Sequence, residues 1–394
     1  MYRIGEAEVK QIQKLFDSGK IFRYGSGQEC DRFEKSWGRY IGAEYCRMAR
    51  SGTSALYTAL VGLGVGPGDQ VIVPAYTYMA TALAVLAAGA IPVIADVDKS
   101  LTLCPKDLES RITRWTRAII PVHMVGLPCN MKKIMKIARK HNVLVLEDAC
   151  QAVGGGYEGK KLGGIGHAGA FSFNFYKNMT CGEGGAFVTN SQAAYDRGSV
   201  AVDCCSFYWN PVDEGSEERE ELQFAGHNFR ASEVEGAILN VQIKRIKGML
   251  NRMRMHKKAL LQIGLDAGLK SIKNNSLDYE CGTHLGFMFK KEKQARAFRD
   301  KLGAHAVSSF LPMDTGRHVY TRWEPIMRYQ GAHHPALDPF KLPANRKALV
   351  KYSAGMCQDS LDILSRAVLV PMHANNTMAR VRRIGDAIKV AAGS

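Results

Sequence analysis

Between Gly52 and Asn190 the chain alternates short apolar runs rich in β-branched residues with longer stretches of helical pattern, and this alternation most constrains the fold. The spacing predicts strands over residues 70–73, 91–95, 118–123, 143–147, 170–173 and 186–189. Helices are expected between them, over 54–63, 77–88, 107–112 and 131–141. Runs such as Val71-Ile72-Val73 and Leu144-Val145-Leu146 have no polar face, so each strand must be covered on both sides. A mostly parallel sheet sandwiched by helices meets that requirement and makes the fold class α/β. After Arg230 the texture changes: 231–254 reads as one long helix or a kinked pair, and mixed helices and weaker strands follow. We therefore expect an N-terminal arm and large domain over 1–245 and a smaller α+β domain over 246–394, a division usual at this length. The Pro- and His-rich stretch 321–343 reads as loop.

Composition serves mainly to exclude. Lysine and arginine exceed aspartate and glutamate by 16, which creates a field that attracts anions. Nucleic acid is not the expected partner. The basic residues concentrate at 244–258 and 290–301, in segments of helical pattern, without a zinc-finger, RRM or basic-region signature. An anionic small substrate accounts for the field equally well. The longest apolar stretch, 80–95, falls short of the roughly 20 residues of a bilayer span, so no membrane partner is expected. The start Met1-Tyr2-Arg3-Ile4-Gly5-Glu6 lacks the order of a secretory signal, which favours a cytoplasmic location. The scattered cysteines, without a CxxC, read as buried thiols rather than as a metal or redox site.

Sheets of this kind bind ligands beyond the carboxyl ends of their strands, and four segments there hold unusual residues. Arg50-Ser51-Gly52-Thr53-Ser54 opens an apolar helix; backbone amides and hydroxyls at such a start suit a phosphate, although the same residues also make plain caps. Tyr76 and Tyr78 end a strand with rings able to stack on a planar cofactor or to fill a core. Asp148 directly follows an apolar run, where burial is costly unless a cation pairs with it. A pyridinium nitrogen is such a cation, and capping of the next turn is the alternative. Lys177 leaves a strand that contains Ser172, a hydroxyl able to take phosphate, and enters a turn ending Gly182-Glu183-Gly184-Gly185. Phosphate anchor, stacking ring, buried carboxylate and lysine thus occur in the order Thr53, Tyr78, Asp148, Lys177. These are the parts of a pyridoxal 5′-phosphate site, with Lys177 carrying the cofactor as a Schiff base.

On these residues the chain resembles the DegT/StrS family of sugar aminotransferases, which have the aspartate aminotransferase fold, fold type I of the pyridoxal-phosphate enzymes. The resemblance is densest from Ser51 to Asn190. It returns at Gly226-His227-Asn228-Phe229-Arg230-Ala231-Ser232-Glu233, which is similar to the family's GYNYRxSE element. It implies that Lys177 attaches the cofactor and later serves as general base and acid, and that Asp148 pairs with the pyridine nitrogen. Gln151 would contact the 3-oxygen side and Tyr78 would stack on the ring. Ser172 and the backbone of Gly52, Thr53 and Ser54 would hold the phosphate. Asn228 would reach it from a neighbouring subunit, which implies a homodimer with shared sites.

The implied reaction moves an amino group from glutamate or glutamine to a keto or aldehyde group of a sugar-like substrate. A nucleotide-linked keto sugar, a keto-cyclitol or a sugar acid such as an octulosonate would qualify, in surface-polysaccharide or natural-product biosynthesis. No metal is expected. Relatives with histidine in place of the lysine dehydrate sugars instead, and Lys177 argues against that branch. Asn174-Phe175-Tyr176 stands where many relatives carry a histidine shortly after the Ser-Phe pair. The alternatives are a pyridoxal-phosphate dehydratase or aminohydroxybenzoate-type synthase, and a noncatalytic regulatory protein of the same fold. Of the later residues, His305, Ser308, Arg317, His318, Tyr320, Arg322, Trp323, His333 and His334 are candidates to reach the site, with no role assigned.

Overall fold

A computed structural model describes residues 4–25, 27–206, 222 and 224–393. Its strands are β1 Tyr45–Ala49, β2 Gln70–Pro74, β3 Ile91–Ala95, β4 Thr116–Ile119, β5 Leu144–Asp148, β6 Gly156–Tyr157, β7 Lys160–Lys161, β8 Ala168–Ser172, β9 Gly185–Thr189, β10 His284–Met288 and β11 Ala367–Pro371. Seven of them form one sheet in the order β1-β9-β8-β5-β4-β2-β3. Pairing is parallel from β8 through β5, β4 and β2 to β3, and antiparallel where β9 meets β8 and β1. The mostly parallel sheet predicted from the apolar runs is present. Side chains alternate across it: Val71 and Val73 enter the core on one face, and Ile72 enters the core on the other.

Helix Gly52–Gly62 supplies Leu56 and Leu60 to the first of these cores. Helices Glu29–Ile41 and Met131–His141 cover the second. Trp37 lies there fully buried, edge-on to Phe171 at 5.0 Å and to Phe173 at 5.5 Å. These contacts clamp the end of β8, from which the Lys177 loop departs.

A third core gathers on the antiparallel β10–β11 pair and on helices Ile246–Asp266, Glu292–Ala304 and Met378–Ala392. The segment 231–254 is the kinked pair, not one helix. Glu233–Gln242 is closed at its start by a Ser232–Glu235 capping box, and a new helix begins at Ile246. That second helix contributes Leu250 and Met253 to the core under the sheet and Leu260 to the third core, so it spans both. The stretch 321–343 holds short 3₁₀ turns and one four-residue helix, Glu324–Met327; Trp323 and Ile326 are nevertheless fully buried. The arm, read only as such, contains helices Glu6–Ser18 and Glu29–Ile41 and leads into β1. Among the described residues no helix is long and apolar enough to cross a membrane.

Candidate active site

A cleft of about 790 Å³ opens at the carboxyl ends of the parallel strands. Its floor comes from the ends of β5 and β8 and the start of helix Gly52–Gly62. Its far wall comes from Thr283, His284, Arg317, His318 and the chain after β11.

Asp148 is the last residue of β5, one position further into the strand than predicted, and is 4% exposed. Its carboxylate accepts from Thr81 Oγ1 at 2.8 Å and from the Cys150 amide at 3.0 Å. Among the described residues no lysine, arginine or histidine nitrogen pairs with it. A buried carboxylate held only by neutral donors favours a cationic group on whatever binds beside it. Its strand neighbour Glu147 points to the opposite side of the sheet, as strand alternation requires. There it accepts from the amides of Gly163 and Gly166, at 2.9 and 2.7 Å, and from His123 Nε2 at 3.0 Å.

The helix start next to Asp148 is shaped for close approach. Ser51 caps it, its hydroxyl accepting from the Ser54 amide at 3.1 Å. The Gly52 and Thr53 amides have no intrahelical acceptor, and both residues line the cleft. A Cβ on Gly52 would lie 2.8 Å from both Cys150 Sγ and Ser172 Cβ, so only glycine lets the helix start meet Ser172 this closely. Two free amides, the positive end of a helix dipole and the Ser172 hydroxyl fit a phosphate. The Ser54 amide is the one taken by the Ser51 hydroxyl, its own hydroxyl accepts from the Ser51 amide at 2.9 Å, and the residue is buried and does not line the cleft. The capping box absorbs it.

Lys177 lines the cleft, and among the described residues its side chain makes no hydrogen bond or ion pair. Its loop is held at both ends. Asn174 Nδ2 donates to Glu183 at 2.9 Å, the Thr180 amide donates to Gln242 at 2.8 Å, and Gly182 turns with φ +92°. Phe175 and Tyr176, which occupy the position of departure from the family pattern, are exposed.

Gln151 Oε1 accepts from the Val125 amide at 3.3 Å. Val125 is a β-branched residue at φ +50°, a conformation that costs about 1–3 kcal/mol. The turn aims its carbonyl at two donors, Thr283 Oγ1 at 2.6 Å and His284 Nδ1 at 3.0 Å. Tyr76 is the core tyrosine, whereas Tyr78 lines the cleft with 40% of its surface exposed. Its ring lies 5.5 Å from that of His318 and 6.0 Å from the Arg317 guanidinium. Carbonyls of Arg317 and His318 accept from the amides of Met79 and Thr77, which fixes that segment against the sheet. Burial lowers the pKa of His284 to about 4. Burial, reinforced by the charges of Lys177 and Arg317, also lowers that of His318. Both rings are therefore neutral.

Of the later candidates, only Arg317 and His318 reach the cleft; Tyr320 and Trp323 are buried in the core, and His305, Ser308, Arg322, His333 and His334 do not line the cleft. Asn228 also lies elsewhere, exposed, its Oδ1 accepting from Arg230 at 3.0 Å. Sequence reasoning missed Thr81, Cys150, Thr283 and His284, none of which stands in a pattern distinct from ordinary strand and helix residues.

Comparison with known proteins agrees with this geometry. The chain matches the DegT/DnrJ/EryC1/StrS aminotransferase family over residues 2–314. It is 41% identical over 219 residues to the GDP-perosamine synthase of Caulobacter vibrioides, covering 54% of this chain and 56% of that protein. Matched curated relatives are spanned over 56–65% of their own length. Among solved structures, a 3-amino-5-hydroxybenzoic acid synthase superposes with a TM-score of 0.78 at 27% identity, over 99% of this chain and 97% of the other. NtdA from Bacillus subtilis, solved with bound cofactor PMP, has the same fold, with a TM-score of 0.75 at 22% identity over 99% and 83% of the two chains. With the match extending over well more than half its length, the chain belongs to the DegT/DnrJ/EryC1/StrS aminotransferase family, whose members depend on pyridoxal phosphate.

Proposed function

We propose that the protein is a pyridoxal-phosphate-dependent aminotransferase that moves an amino group from glutamate or glutamine to a keto or aldehyde group of a sugar-like substrate. The observation that carries this reading is the meeting, in one cleft, of a lysine and a buried carboxylate that, among the described residues, have no ionic partner. When bound, the cofactor carries the amino group between donor and acceptor and serves as electron sink. Asp148 would keep the ring nitrogen positively charged, with Thr81 and the Cys150 amide fixing the carboxylate. The Gly52 and Thr53 amides and the Ser172 hydroxyl hold the phosphate. Tyr78 would stack on the ring, and Gln151 would stand on its 3-oxygen side. Lys177 would hold the cofactor and, once displaced from it, would take up and return the substrate carbon's proton at Nζ.

The GDP-perosamine synthase relative and the net charge of +16 favour a nucleotide-linked keto sugar. Residues 1–245 and 246–394 are assigned as the two domains that line the cleft. The exposed Val9, Phe16, Ile21 and Phe22 support a homodimer, in which Asn228 serves the partner's site. The assigned location is cytoplasmic, with neither nucleic acid nor membrane as partner. A second reading, an aminohydroxybenzoate-type synthase, is favoured by one structural neighbour. Consumption of the amino donor in step with product separates the two. Substituting Lys177→Ala should abolish turnover and the visible absorbance of lysine-linked cofactor, while cofactor remains bound noncovalently; an unchanged absorbance would refute the assignment.

A further inference from the structure

Two imidazoles on the far wall of the cleft share an unusual constraint. His284 opens β10, and His318 ends a 3₁₀ turn that is hydrogen-bonded to the strand end at Thr77–Met79. Each aims Nδ1 at a backbone carbonyl: Val125 for His284 at 3.0 Å, and Thr315 for His318 at 3.2 Å. A carbonyl oxygen can only accept, so in both rings the proton sits on Nδ1. In a neutral ring Nε2 is then a bare acceptor.

Neither tautomer can easily be exchanged. The Val125 carbonyl is turned toward His284 by a left-handed backbone, and the Thr283 hydroxyl holds the same oxygen. The Thr315 carbonyl is set by a turn in which both its amide and its hydroxyl donate to Pro312, at 3.1 and 2.6 Å. Among the described residues no protein donor reaches Nε2 of either ring. Both half-buried rings line the cleft, so each Nε2 is open to a donor carried by a bound ligand.

That requirement discriminates among chemical groups. A hydroxyl can donate to Nε2; a phosphate dianion, a carboxylate or a ketone cannot. Arg317 lies beside His318, and among the described residues it has no carboxylate partner, so anionic parts of the substrate belong to it instead.

We propose that His284 and His318 are specificity-determining residues, each accepting at Nε2 a hydrogen bond from a hydroxyl of the sugar-like substrate, so that the cleft tells polyhydroxylated carbonyl compounds apart by the placement of their hydroxyls. This rests on the aminotransferase reading for its reaction, though not for its geometry. His318, whose ring lies 5.5 Å from that of Tyr78, takes the hydroxyl nearer the reacting carbon.

The test runs the reaction in reverse. A nucleotide-linked 4-amino-4,6-dideoxyhexose, and the same compound lacking the hydroxyl next to the amine, are offered to the holoenzyme as amino donors. Loss of visible absorbance gives kcat/KM for each. The natural protein should prefer the hydroxylated probe by about tenfold or more, as loss of one buried hydrogen bond implies. His318→Phe should bring that ratio near one, and His318→Asn, which keeps an acceptor oxygen, should restore part of it. Equal ratios in the natural protein and the Phe variant would overturn the proposal while leaving the aminotransferase reading intact. Failure of every amino sugar, with glutamate still reacting, would overturn the proposal together with the sugar substrate. Independently of any variant's folding, ¹⁵N-histidine spectra of the natural holoenzyme should show two rings protonated at Nδ1 alone near neutral pH; spectra with no ring protonated at Nδ1 alone would refute the inference.

Discussion

Replacing Gly52 by alanine should damage cofactor binding more than it damages the fold. The new Cβ would sit 2.8 Å from Cys150 Sγ and from Ser172 Cβ, against about 3.5–4.0 Å for a comfortable carbon contact. Something must therefore move by roughly 0.7 Å. Ser172 ends β8, an interior strand of the seven-stranded sheet, where it pairs with Gly185 and cannot yield cheaply, so the helix start retreats. Overpacking of this kind costs about 1–3 kcal/mol. At about 2 cal/mol/K per residue, that lowers the melting temperature of the apoprotein by roughly 1–4 °C.

The same retreat carries the Gly52 and Thr53 amides away from the phosphate, and hydrogen bonds to charged groups are worth about 1.5–3 kcal/mol each. Weakening two of them should reduce affinity for pyridoxal phosphate by at least about tenfold. Titration of apoprotein with cofactor, followed by visible absorbance, measures it. Adding Cys150→Ala removes one of the two clashes and should recover part of the melting temperature but little of the affinity, because Ser172 still blocks the helix. A Gly52→Ala protein that binds cofactor within twofold of the natural one would refute the phosphate site.

Asp148→Asn preserves the shape of the Thr81 and Cys150 contacts but removes the charge. Turnover, measured as oxo acid released from glutamate, should fall at least about a hundredfold with cofactor retained. His284 adds a pH dependence. Its folded pKa of about 4 lies below the ordinary 6.5, so protons bind the unfolded chain first as pH falls. The stability it confers is complete above pH 6.5 and is lost toward pH 4, amounting to about 2 kcal/mol by pH 5. Urea midpoints at pH 7 and pH 5 should show that loss, and His284→Gln should diminish it; equal slopes in both proteins would contradict the burial argument.

The strands were legible because both faces of each are buried, which leaves continuous apolar runs. Their ends were less so. The predicted helix over 77–88 starts only at Ala80, because the amides of Thr77 and Met79 are taken by His318 and Arg317, some 240 residues away in sequence. No local pattern announces such a pairing. The same distinction holds in the cleft. Gly52, Asp148, Ser172 and Lys177 stand in local motifs whose chemistry can be read directly. His284 owes its position to a carbonyl turned by Val125, and only the fold brings the two together. Ser54 shows a different limit: a serine three residues after a cap is compatible with a phosphate-binding helix start and with a capping box, and here its side chain completes the box.

Glu147 and Asp148 are adjacent acids whose different duties are set by parity. The pleat sends one to the loop at 163–166 and the other to the cleft. Sliding β5 by a single residue would leave the composition, the charge and even the acid pair unchanged, yet would exchange the two assignments. The longer side chain would then face the cleft and the shorter one would fall short of the loop amides. Any transplant of this site into another scaffold must therefore preserve strand phase as strictly as residue identity.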